Sequence, residues 1–278
     1  MRGAMETSNA TSPPVFDADW RRWIIENKQL NKPIDGIVDA MVRCGFSHEF
    51  SRKAVVETLP YAYASLPWQR RPTIETHDRL IQIRYFNDRP RILLLENVLS
   101  PQECDQLIAG SSSKLARSTA LDKQTGAYIT IAERSSENAY YRNNDPFVQA
   151  MNRRFSEIMH QPASHGEDLQ VVRYLVGGEY REHWDYFPMS DPGSLSVTQD
   201  GGQRTATLLM YLNDVPIGGA TYFPKINYRV QPRKGWGVYF EYTDVYGQVD
   251  DLTLHAGEPV SHGEKWIATK WMRVKPRA

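Results

Sequence analysis

The chain has 278 residues, 41% of them hydrophobic and 24% charged, with Lys+Arg and Asp+Glu both at 33, so the formal net charge is zero. These values describe a globular chain and exclude a global basic field for nucleic acid or an acidic solvating tail. The only cysteines are Cys44 and Cys104, far apart and without metal-like spacing, which fits a reducing compartment rather than a disulfide scaffold. The first residues lack an apolar core of signal-peptide length, and no apolar run approaches the roughly 18 residues of a membrane span. A cytoplasmic protein is expected, with no nucleic-acid or membrane partner.

In chain order, residues 1–15 are small, polar and proline-containing and are expected to be disordered. Residues 16–75 form a small helical N-terminal region and linker. Ile34, Ile37, Val38, Met41 and Val42 follow one helix face, Gly45 ends that helix, and Ser47 caps the next, which carries Phe50, Ala54, Val55 and Leu59. Trp20, Trp23 and Ile24 suggest an earlier short helix, and Pro60, Pro67, Trp68 and Pro72 an irregular linker. This region carries no chemistry and is expected to pack on the main domain or to mediate dimerisation. The main domain spans 76–278. Arg91–Leu95 reads as a buried strand. Ser100-Pro101-Gln102-Glu103 reads as a helix cap, and Phe147, Val148, Met151, Phe155 and Ile158 mark a helix over 145–160. Short strands follow at 169–176, 181–187, 204–212, 220–223, 228–231, 236–242, 252–255 and 266–274. Without helices between them, they argue for an α+β, mainly β domain with a β-sandwich or jelly-roll core.

The chemistry centres on His183-Trp184-Asp185. In a strand, residues two apart face the same side, so both side chains can grip one ion while Trp184 points away. His255 and Lys265 follow further along. Two histidines, one carboxylate and a nearby cation form the ligand set of a non-haem Fe(II) oxygenase, with one face left open for co-substrate and O2. A histidine and an aspartate two apart are a weak signal alone; a satisfied structural histidine is the plainer reading of His183. His262 competes with His255, while His48, His77, His160 and His165 lie outside any constellation and read as structural.

The surrounding segments add weight. They run in order: Leu169–Tyr174, Gly178–Phe187, Gln203–Leu212, Gly218–Pro224, Leu254–Val260 and Gly263–Trp271. Together with the looser stretch 117–136, they resemble the catalytic domain of the prolyl 4-hydroxylase family of Fe(II)/2-oxoglutarate dioxygenases over about 90–274. The resemblance implies a double-stranded β-helix. It implies His183, Asp185 and His255 as iron ligands and catalytic centre. It implies Lys265, Tyr174 and Thr221 on the distal carboxylate of 2-oxoglutarate, and Glu167, Tyr180, Arg204 and Trp271 near the substrate. Plainer roles are core aromatics for Tyr180 and Trp271 and a surface ion pair for Arg204. Gly218-Gly219 reads as a tight turn at positive φ. Trp184 stands where the family often has tyrosine, and Ser164 where it often has glutamate; both bear on the substrate side. Fe(II), 2-oxoglutarate, O2 and ascorbate are the cofactors and co-substrates implied. The expected activity is hydroxylation of an unactivated C–H bond in a prolyl peptide, with loop 118–142 (Tyr128, Tyr140, Tyr141) folding over it. Hydroxylation of a free cyclic amino acid such as proline or pipecolate, or of another small metabolite, clamped by Arg204, is the alternative. A non-catalytic jelly-roll binding protein is the remote one.

Overall fold

A computed structural model describes residues 14–29, 34–58, 72–87, 89–242 and 249–277. Of the tail expected to be disordered over 1–15, residues 1–13 lie outside the described residues, as do 60–71 of the irregular linker expected over 60–75; the end of that linker, Thr73–Glu75, is a strand. The described residues fall into two compact units. No helix among them is long and apolar enough to cross a membrane.

The first unit holds α1 (Ala18–Gln29), α2 (Ile34–Arg43) and α3 (His48–Thr58). Ile24, Ile37, Val38, Met41, Phe46, Ala54 and Val55 form its core. Gly45 takes φ 98° after α2, and the Ser47 hydroxyl accepts from the Phe50 N–H at 3.1 Å, as the cap reading requires. Val42 and Phe50 differ from expectation: they are 38% and 40% exposed. Each sits at the border of its helix stripe, where the 3.6-residue period has rotated away from the small core.

The second unit is mainly β. Its strands are β1 (Thr73–Glu75), β2 (Leu80–Asn87), β3 (Ile92–Glu96), β4 (Ala116–Arg117), β5 (Ala120–Leu121), β6 (Tyr128–Ile129), β7 (Glu137–Tyr141), β8 (Leu169–Tyr174), β9 (Tyr180–His183), β10 (Arg204–Tyr211), β11 (Ile217–Gly218), β12 (Thr221–Phe223), β13 (Tyr228–Val230), β14 (Gly237–Glu241), β15 (His255–Gly257), β16 (Val260–His262) and β17 (Lys265–Arg273). Nine form one antiparallel sheet in the order β1-β2-β3-β14-β10-β17-β8-β7-β4, and four form a second in the order β13-β12-β15-β9. β17 is buried at all nine positions because both of its faces are covered. On the back, Trp266, Ala268 and Met272 join Leu208 and Met210 under α4 (Pro101–Ser112) and α5 (Pro146–Met159). On the front, Ile267 and Trp271 join Leu209, Tyr211 and Phe240 and meet Phe223 and Val230 of the second sheet. α4 opens with a full capping box between Ser100 and Glu103, and α5 with Asp145 accepting from the Phe147 N–H.

Two expected strands end differently. The strand at 181–187 stops at His183, and the one at 252–255 is replaced by a 3-10 turn, Asp251–Thr253, before β15 begins at His255. The Asp250 side chain accepts from the Leu252 N–H and competes locally with a strand ladder. Gly218 and Gly219 adopt φ 80° and 67°, and a Cβ on Gly218 would lie 2.4 Å from the Pro259 carbonyl oxygen.

Arg154 of α5 is buried and ties three segments together. It donates to both oxygens of Asp78, to Glu103 (2.7 Å from Nη2) and to the Val98 carbonyl (3.0 Å). These bonds hold the Asp78 carboxyl down to about 2 and lower Glu103 despite its burial. Arg154→Ala is expected to cost about 3–5 kcal/mol, because it strands two partly buried carboxylates. Both carboxylates have depressed folded values, so this stability is present above roughly pH 4 and is lost as pH falls towards 2. Urea denaturation should therefore separate wild type from variant at pH 7 and bring them together in acid.

Candidate metal centre

His183 closes β9 and His255 opens β15, and the two are register partners across the second sheet. Their rings lie 4.3 Å apart between centroids. Each Nδ1 is spent on a backbone carbonyl: His183 on Arg181 at 2.8 Å, His255 on Thr253 at 3.0 Å. A carbonyl only accepts, so each Nδ1 carries the proton and each Nε2 presents a lone pair. Burial pushes the His183 imidazole down to about 3, which keeps it neutral. Both Nε2 atoms point at the same carboxylate, 3.7 Å from Asp185 Oδ1 for His183 and 3.7 Å from Oδ2 for His255.

Asp185 lies beyond the strand end, not on the strand as expected. The Trp184 indole, which donates to the Asp251 carbonyl at 3.1 Å, pins the departing chain. Thr207 of β10 donates to Asp185 Oδ2 at 2.6 Å and Tyr242 at 3.3 Å; the Thr207 and Tyr242 hydroxyls also touch each other. Burial alone would raise the carboxyl, but the nearby Arg204 charge and the Thr207 bond lower it well below the usual range. The three donor atoms lie within 4.8 Å of one another. Two neutral imidazole nitrogens and one buried carboxylate, with no sulfur, fit a divalent first-row metal such as Fe(II). Phe240 and Phe223 wall the His255 side, at 4.8 and 5.7 Å between centroids.

The centre opens into a cleft of ≈ 880 Å³. Lys265, Tyr174 and Thr221 line it together. Lys265 is 2% exposed, pairs with Tyr174 across β17 and β8, and its Nζ lies 5.4 Å from the Tyr174 ring. Burial pushes its ammonium down to about 7, with only partial support from Glu258. Among the described residues it has neither a hydrogen bond nor an ion pair. Lys270, on the opposite face of β17, is equally buried but donates to Asn143 Oδ1 at 2.6 Å and to the Glu167 carbonyl at 2.5 Å. One lysine is satisfied by protein; the other faces the cleft and has room for an anion. The Thr221 hydroxyl accepts from Tyr211 at 2.8 Å, which turns its own proton towards the cleft.

The other expected residues also converge. Glu167 accepts both prongs of Arg204, at 2.7 and 2.9 Å, and Arg273 Nε at 2.5 Å. Burial opposes ionisation of Glu167, yet Arg204 and Arg273 hold its carboxyl at about 2. Arg204 is therefore part of a buried pair, not a surface one, and its fork is committed. It also donates to the Asp185 carbonyl at 3.1 Å and lies 3.9 Å over the Trp271 ring. Tyr180 stacks on His183 at 3.5 Å and lies under Arg134 at 4.8 Å. His262 is exposed on β16, and His165 bonds the Arg273 carbonyl at 3.0 Å; neither belongs to the three-donor cluster. Tyr128 and Tyr140 line the cleft, but Tyr141 turns into the core, where its hydroxyl donates to the Leu107 carbonyl. The motif reading passed over Thr207, Tyr211, Tyr242, Arg134 and Arg273. Thr207 and Tyr211 had a signal: hydroxyls at the inward parity of an otherwise apolar strand.

Residues 169–273 match the family model of the 2OG-Fe(II) oxygenase superfamily. Prolyl 4-hydroxylase 1 of Arabidopsis thaliana is 40% identical over 202 residues, which is 67% of this chain and 70% of that protein. Prolyl 4-hydroxylase subunit alpha-1 of Rattus norvegicus is 35% identical over 189 residues, 68% of this chain but only 35% of that subunit. Among solved structures, a viral collagen prolyl hydroxylase from Paramecium Bursaria Chlorella virus-1, in complex with 2OG, superposes with a TM-score of 0.51 at 30% identity, covering 66% of this chain and 95% of that one. This chain belongs to the prolyl 4-hydroxylase family of 2OG-Fe(II) oxygenases and is a 2-oxoglutarate-dependent dioxygenase.

Proposed function

We propose that the protein hydroxylates a prolyl residue within a peptide, with Fe(II) on His183, Asp185 and His255 and 2-oxoglutarate anchored on Lys265, Tyr174 and Thr221. The two facing sheets serve as the double-stranded β-helix that carries these residues. The observation that carries the reading is Lys265: a buried ammonium with no hydrogen bond or ion pair among the described residues, in the same cleft as a preformed two-histidine, one-carboxylate face. When bound, iron with 2-oxoglutarate and O2 supplies the oxidising power for C–H hydroxylation, releasing succinate and CO2; ascorbate serves to keep the iron reduced.

The chain's own residues do the positioning. Thr207 and Tyr242 hold the Asp185 carboxylate ionised and fix its orientation. The carbonyls of Arg181 and Thr253 fix both imidazole tautomers. Lys265 neutralises the distal carboxylate of the co-substrate, whose desolvation would otherwise be prohibitive. The Glu167, Arg204 and Trp271 cluster shapes the substrate wall and shields the cleft from water. A free amino acid would need Arg204 as its carboxylate clamp, and that fork is held by Glu167. The intact donor set weighs against a purely binding role. Both cysteines are free, which supports work in a reducing compartment. The N-terminal helices serve as a docking or dimerisation module.

His183→Ala and Asp185→Ala should each abolish retained iron, read by metal analysis, and succinate release; full turnover by both would sink the assignment. Lys265→Ala should raise the 2-oxoglutarate KM about a hundredfold, the cost of truncating one partner of a buried charge pair. An unchanged KM would move the anchor elsewhere. Lys265 titrates at about 7 in the open cleft and is raised by a bound carboxylate, so 2-oxoglutarate affinity should fall as pH rises above about 7. A titration by calorimetry that shows no pH dependence in wild type would contradict this. Mass spectrometry should find one added oxygen atom on Pro-containing peptides and none on free proline or pipecolate; the reverse pattern would favour the metabolite reading.

A further inference from the structure

Tyr140 is a large aromatic on the cleft wall that is 54% exposed, while its neighbour Tyr141 is buried. Its exposure is not looseness. Arg134 is buried and carries only donors, and its Nη2 lies 3.3 Å from the Gln170 side-chain carbonyl. That contact fixes the Gln170 amide, so its nitrogen faces the other way and donates to the Tyr140 hydroxyl at 2.6 Å. Asn138 donates to the same oxygen at 3.2 Å. Both lone pairs of the phenol are then occupied. Its hydroxyl proton has no acceptor among the described residues. The result is a rigid ring with an exposed face and one free donor at its edge.

The position follows from sheet register. Tyr140 pairs with Gln170, Gln170 with Thr269, and Thr269 with Leu209, two residues along β10 from Thr207, which holds Asp185. From β10 across β17 and β8 to β7 is three strand spacings, about 14 Å. A polyproline II chain rises roughly 3.1 Å per residue, so that distance is about four to five residues of substrate. A free amino acid cannot reach from the metal face to Tyr140. A proline-rich chain can, and each of its proline residues offers a carbonyl acceptor and an apolar ring but no N–H.

We propose that Tyr140 is a specificity-determining platform that binds a substrate residue about four to five positions from the one hydroxylated, and that it selects an extended, proline-rich peptide. The proposal rests on the prolyl-peptide reading above. Its test is kcat/KM for Pro-rich peptides of about three and about ten residues, spanning the platform distance or falling short of it. Wild type gains with length. In Tyr140→Ala the long-to-short ratio falls about tenfold, with the loss in KM, as expected for one lost stacking contact. Tyr140→Phe keeps the ring but loses the hydroxyl, both as donor and as acceptor for Gln170 and Asn138, and sits between the two. Equal efficiency ratios in wild type and Tyr140→Ala would overturn the platform while leaving prolyl hydroxylation standing. Failure of wild type on every prolyl peptide, with 2-oxoglutarate turnover intact, would overturn the functional reading itself and the platform with it.

Discussion

Asp185 carries a full negative charge at a place that water barely reaches. Left alone, such a carboxylate would take up a proton or unfold its surroundings. The Thr207 and Tyr242 hydroxyls and the nearby Arg204 charge keep it ionised beside the two imidazoles. Thr207 and Arg204 come from one strand, β10, and the imidazoles from β9 and β15; the imidazoles are fixed by backbone carbonyls and Arg204 by Glu167. The donor face is therefore formed by the fold itself, since its orientation is settled by bonds within the protein.

The same logic separates structure from function among the buried cations. Arg154, Lys270 and Arg273 are spent on protein acceptors, and they hold helices and loops to the large sheet. Lys265 alone among these four faces the cleft without such a bond, at the start of a nine-residue strand that is buried along its whole length. The charge of a buried ammonium is costly unless it is matched. In the proposed function a dicarboxylate co-substrate matches it, in the cleft that the three-donor cluster also faces. Lys265 thus lies where the chemistry of the site and the energetics of the fold meet.

The rest of the cleft wall is built in the same manner, with buried groups orienting exposed ones. Arg134 orders Gln170, and Gln170 orders Tyr140; Arg204 is ordered by Glu167 and lies over Trp271. The 188–193 loop reaches across to the β5–β6 turn through Gly193, whose N–H donates to the Lys123 carbonyl at 2.8 Å. A Cβ on Gly193 would meet the Gly126 nitrogen at 2.4 Å, so the backbones can approach only because both residues are glycine. The substrate side is thereby as preorganised as the metal side.

Much of this was legible in the residues. The caps at Ser100 and Ser47 depend on local hydrogen bonds, and local spacing was enough to find them. His183, Asp185, His255 and Lys265 were legible because iron chemistry demands those residue types and the family motifs order them. Other features required the tertiary structure. Asp185 sits beyond its strand, because the Trp184 indole is held by Asp251, a contact between distant segments. Tyr140 and Tyr141 are alike in sequence, yet one faces the cleft and the other the core, since strand parity assigns opposite faces and only packing says which face is which. Arg204 looked free to clamp a ligand until Glu167 came beside it. The sequence by itself determined the donor types, the caps and the mainly β character, because these rest on local chemistry and periodicity. Which charges are already matched, and which remain for a ligand, was decided by the fold, because matching depends on neighbours that are close in space and remote along the chain.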